Sequence, residues 1–141
     1  MLIPTCVIKF IELLLAIACL TLHQYSYDLT DLVTFMICSG TYVGFVIVLS
    51  GEILGELMSA AADAYVDAYW SAAGGCLYAC AGLLTLHSWL PIVACARRTY
   101  ALSTSIIAIT LALVLFIDSL LAFCSAHRDD KTTSGQEQRA S

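Results

Sequence analysis

Four apolar runs, at about 6–22, 32–51, 68–90 and 101–124, leave this chain few ways to fold. Each is long enough to cross roughly 30 Å of hydrocarbon as a helix. The charged residues gather between the runs and behind the last one. The 141 residues are 60% hydrophobic and 12% charged, with a mean hydropathy of +0.88, and this excludes an ordinary water-soluble domain. In lipid every backbone N–H and C=O must be satisfied within the segment, and runs of this length do so as helices. The expected fold is therefore all-α, an integral membrane four-helix bundle with short loops, occupying residues 1–124. Residues 125–141, SAHRDDKTTSGQEQRAS, are too polar and too few to bury a core and read as a disordered cytoplasmic tail. The lipid bilayer is the first partner. A net charge of −5 with no basic patch excludes nucleic acid.

The second run carries four glycines in one register. Gly40, Gly44, Gly51 and Gly55 share roughly a 60° arc at about 100° per residue. Inside a bilayer, missing side chains let a neighbouring backbone approach closely, so the two G-x-x-x-G units read as a docking face. The third run has a matching stripe of small residues, Ala72, Gly75, Ala79 and Gly82, and is the expected partner. Trp70 and Trp89 lie 19 residues apart, about 28 Å of helix, which predicts one tryptophan anchor at each membrane interface.

Charges within the runs are few. Lys9 and Glu12 stand three residues apart near the start of the first run, and Asp118 is the one charge of the fourth. A carboxylate at mid-membrane costs roughly 2.5 to 3.5 kcal/mol on insertion scales, so Asp118 is expected to face the bundle and to be paired or protonated. In an antiparallel bundle Lys9 lies at the same depth and is its expected ion-pair partner, with Glu12 competing for the same ammonium. Ser103, Thr104, Ser105 and Thr110 are expected to return their hydroxyls to the preceding turn. The second connection holds Glu52, Glu56, Asp63 and Asp67, which read as a solvated face and not as a metal site. The second and third helices are expected to project there as a short hairpin.

A positive residue followed by an apolar run resembles a signal peptide, but Glu12 interrupts it and no clean A-x-A box follows, so the first run is read as an uncleaved helix. With both termini in the cytoplasm, Lys9, Arg128, Lys131 and Arg139 lie inside against Arg97 and Arg98 outside; four against two favours this orientation. The odd number of cysteines, seven, lying mostly inside the runs, is no disulfide framework. Cys6 and Cys124 fall at the cytoplasmic boundary, where palmitoylation is chemically open. His23, His87 and His127 are scattered, and no H-E-x-x-H or G-x-S-x-G motif occurs, so neither catalysis, a metal nor a cofactor is expected.

Ser39-Gly40-Thr41-Tyr42-Val43-Gly44-Phe45, Gly75-Cys76, Leu86-His87-Ser88-Trp89 and Asp118-Ser119-Leu120-Leu121-Ala122 follow one another in an order that resembles the snakeskin-like family. These are small four-span membrane proteins of arthropod smooth septate junctions. The resemblance covers about residues 39–122 and implies a divergent relative: a non-enzymatic structural component that supports epithelial junctions. Its implied partners are other junction membrane proteins, joined by helix packing, with a second copy of the chain as another occupant of the docking face. Two alternatives stand beside this reading, a small transporter or channel subunit using its intramembrane carboxylates, and a four-span vesicle-trafficking protein.

Overall fold

The computed structural model describes residues 2–26, 32–58 and 63–141. Four helices follow one another: α1 Leu2–Ser26, α2 Leu32–Leu57, α3 Ala64–Trp89 and α4 Ala96–Ala140, and the described residues contain no strand. α1, α2 and α4 each hold a stretch long and apolar enough to cross a membrane. The chain is a membrane protein. α3 is as long as α2 but less apolar, because glycine, serine and tyrosine interrupt it. Those residues turn inward: Ser71, Gly74, Gly75, Tyr78, Gly82 and Thr85 are all buried.

Contacts between neighbouring helices run in opposite directions, which makes the bundle up-down-up-down. On α3 and α4, Ser119 Oγ donates to the Ala68 carbonyl at 2.8 Å near one end, and Ser105 Oγ donates to the Gly82 carbonyl at 2.5 Å near the other. α3 thus runs beside α4 through the same depth, and a membrane crossed by α4 is crossed by α3 as well. The core between the helices centres on Tyr42, Phe45 and Leu49 of α2, Tyr78 and Ala81 of α3, and Leu111 and Leu115 of α4, with Ala16 and Cys19 from α1. The Tyr78 ring lies 5.6 Å from Tyr42 and 5.7 Å from Phe45, centre to centre, the latter edge to face.

The small-residue stripe of α3 meets α4 and not the glycines of α2. A Cβ on Gly82 would stand 2.9 Å from Ile109 Cγ1 and 3.2 Å from the Ser105 carbonyl; one on Gly75 would stand 3.0 Å from the Phe116 ring. α3 and α4 therefore approach closely enough for Ser105 to bond across the interface instead of to its own preceding turn. Thr104 and Thr110 do return their hydroxyls, to Tyr100 and Ile106, at 2.8 and 2.9 Å. The backbones of α2 and α3 stand further apart, and side chains fill the space between them, with the Phe45 ring seated over Gly74 and the Tyr42 and Tyr78 rings side by side. The glycine face of α2 corrects the expected pairing: a Cβ on Gly40, Gly44 or Gly51 would meet nothing within 4 Å. The cause is the register of α2. Its large side chains Tyr42, Phe45 and Leu49 claim the core, and the glycines lie about 150° round the helix from them.

Three further expectations change. Trp89 is 1% exposed, enclosed by protein and not anchored at the lipid surface, whereas Trp70 keeps an exposed ring. The chain turns sharply after Trp89, where Arg98 donates to the carbonyls of Trp89 and Leu90 at 3.4 and 3.5 Å. The tail is helical to Ala140, as a continuation of α4. A helix already nucleated in the bundle needs only propagation, and the Thr132, Thr133 and Ser134 hydroxyls bond back one turn to Arg128, Asp129 and Asp130. The first apolar run lengthens at both ends into α1. Most of the expected loop at 23–31 and the centre of the acidic connection, 59–62, lie outside the described residues.

Candidate functional site

One lysine is enclosed where the four helices meet. Lys9 is 1% exposed, and its Nζ lies 2.7 Å from Asp118 Oδ2, 2.9 Å from Asp67 Oδ1 and 3.1 Å from Glu52 Oε2. Nζ also donates to Ser71 Oγ at 3.2 Å, and that hydroxyl donates to Asp118 Oδ2 at 2.9 Å. A single ammonium from α1 is thus bound to groups from α2, α3 and α4.

Antiparallel topology explains the convergence. Lys9 and Glu12 stand in the first half of α1, Glu52 near the end of α2, Asp67 in the first turn of α3, and Asp118 at the midpoint of α4, near the end of its apolar stretch. All of these positions fall at one end of the bundle. The expected Lys9–Asp118 pair is present at 2.7 Å, and Glu12 stands further off, its Oε2 at 3.8 Å from Nζ. Glu52 and Asp67, read from sequence as part of a solvated acidic face, instead lean inward, although their side chains keep 19% and 22% of their exposure. The depth argument that matches Lys9 to Asp118 also brings the end of the second run and the start of the third to the same level, but depth alone does not say whether an acid there faces water or the bundle. Ser71 gave no signal in the sequence, since a serine beside alanines in an apolar run reads as a small packing residue.

The electrostatics are unbalanced. One cation faces four carboxyl groups, and the nearest three are close enough for strong ion pairing in a medium less polarisable than water. Desolvation offsets much of that gain, so the arrangement specifies which helix stands where more than it adds net stability. Chemically it is a cross-link of all four helices through one ammonium.

The opposite end of the bundle is organised by His23. Its Nε2 shares a 3.0 Å hydrogen bond with Ser39 Oγ, its ring stacks 5.6 Å from Phe35, and Tyr42 meets it edge-on at 5.1 Å. A cleft of about 500 Å³ opens beside it between α1 and α2, bordered by Leu20, Tyr25 and Val43. Of the cysteines, Cys19 and Cys38 are buried and point their thiols at the Thr104 and Ala81 carbonyls, at 4.0 and 3.8 Å. Cys95 accepts from the Arg98 N–H at 3.4 Å and caps the start of α4.

Comparison with protein-family models, with curated proteins and with solved structures finds no match.

Proposed function

We propose that the chain is a structural membrane protein of epithelial cell junctions, of the smooth septate kind, that supports junction assembly and the barrier by packing against other junction membrane proteins. The observation that carries this reading is the unused glycine face of α2. Gly40, Gly44 and Gly51 meet nothing, while the equivalent small residues of α3 are consumed inside the bundle. Met36, Val43, Ile47 and Leu54 stand along one side of that face and are exposed, so it offers a shallow groove with an apolar wall to a helix from outside. The order of motifs from Ser39 to Ala122 supports the junction assignment by its resemblance to the snakeskin-like family. Both termini lie in the cytoplasm in this reading.

Imaging a tagged copy in a polarised arthropod gut epithelium tests it. Lateral-border staining that co-localises with septate-junction markers is expected. The Gly44→Leu variant should reach the membrane yet fail to concentrate at the border. Intracellular puncta would replace this reading with a trafficking role, and proton-coupled flux in liposomes would replace it with transport.

A further inference from the structure

The charge imbalance around Lys9 falls most heavily on the one carboxyl group that is fully enclosed. Glu12 is 0% exposed, and neither of its carboxyl oxygens has a hydrogen-bond partner. The groups that face it are Lys9 from its own helix, Glu52 from α2, Asp67 from α3 and Asp118 from α4. An ammonium carries three N–H donors. Asp118, Asp67 and Ser71 stand at 2.7, 2.9 and 3.2 Å; Glu52 Oε2, at 3.1 Å, forms an ion pair without a hydrogen bond, and Glu12, at 3.8 Å, has a donor on neither oxygen. An ionised carboxylate without a donor, out of water and beside three other carboxylates, has only the Lys9 charge at 3.8 Å in its favour, and closer acids already share that ammonium. A neutral acid removes the charge and brings an O–H of its own. Glu52 and Asp67 differ from Glu12 in being part-open to the end of the bundle.

We propose that Glu12 is a proton-binding site: its carboxyl holds a proton in the assembled bundle, enclosed beside the Lys9–Asp118 pair, and exchanges it with solvent past Glu52 and Asp67. The ligand is a proton and not a metal ion, because the Lys9 ammonium already occupies the point on which the carboxylates converge. The site stands on this geometry alone and does not depend on the junction reading.

The test uses the full chain in liposomes with isotopically labelled glutamate, which marks Glu12, Glu52, Glu56 and Glu137. Infrared spectra at neutral pH should contain the carbonyl stretch of a protonated glutamate. The band should vanish in Glu12→Gln and persist in Glu52→Gln and Glu56→Gln. Glu12→Gln should also unfold at the parent's denaturant midpoint, since an amide is close in shape to the neutral acid. Absence of the band in the parent overturns the proposal. So does its survival in Glu12→Gln, or its loss in Glu52→Gln or Glu56→Gln, which remain informative if Glu12→Gln does not fold.

Discussion

At the scale of single residues, Lys9 and its acids are not equivalent. The ammonium serves several carboxyl groups at once, whereas each carboxyl is one of several that the ammonium can use. Removing the cation leaves buried acids without any counter-charge, which for a buried pair typically costs about 3 to 5 kcal/mol. Replacing Asp118 by asparagine keeps an acceptor for Lys9 and Ser71, while Asp67 and Glu52 retain the ammonium, so the loss should be about 1 to 2 kcal/mol. Lys9→Met is therefore expected to unfold in detergent micelles at a clearly lower denaturant concentration than Asp118→Asn; equal midpoints would mean that the pair acts alone. The pair itself was legible in the sequence, because depth in an antiparallel bundle follows from position in the run. The other members were not. Glu52 and Asp67 lie at helix ends, where an acid facing water and an acid facing inward give the same pattern, and only the packing of α1 against α2 and α4 decides between them.

At the scale of helices, periodicity identifies a face but not its neighbour. The small residues of α3 and the glycines of α2 were equally visible in the sequence, yet only the former meet a helix of this chain, since Tyr42, Phe45 and Leu49 commit the opposite side of α2 to the core. The two stripes should thus respond differently to the same substitution. Gly82→Leu drives a side chain into Ile109 and the Ser105 carbonyl and breaks the Ser105–Gly82 bond, an overpacking that costs about 1 to 3 kcal/mol or more. Gly44→Leu enters open space and should leave the thermal midpoint of the monomer in detergent unchanged. If Gly44→Leu lowers that midpoint as much as Gly82→Leu does, α2 uses its glycines inside the bundle after all. The helical continuation of α4 was not legible, because its composition is that of a disordered segment and its helix rests on the span before it. Ala126 is its one buried residue, and beyond that Tyr65 donates to Asp130 at 2.5 Å on the exposed surface. A chain ending after His127 should melt with the full chain, and amide exchange beyond that point should be fast.

At the scale of the whole molecule, the orientation rests on fewer charges than the sequence suggests. Lys9 is enclosed by carboxyl groups and is not a solvated charge at the membrane surface once the bundle is formed. In the proposed orientation the bias toward a cytoplasmic tail then falls on Arg128, Lys131 and Arg139, all exposed on the extension of α4, against Arg97 and Arg98 at the other end. Arg98 is engaged with the Trp89 and Leu90 carbonyls, so its position is tied to the turn before α4. The three tail residues lie within about 15 to 20 residues of the end of the span, close enough to act as topology signals. A glycosylation acceptor added behind Ser141 should remain unmodified in the parent, and one inserted beside Arg97 should be modified. Replacing Arg128, Lys131 and Arg139 together by glutamine should remove most of the bias and yield a mixed population, seen as partial glycosylation of the tail acceptor. These substitutions touch no buried group, so a fall in the amount of folded protein is not expected. A tail glycosylated already in the parent would invert the molecule and place the carboxyl-rich end, with Lys9 at its centre, on the outer side of the membrane.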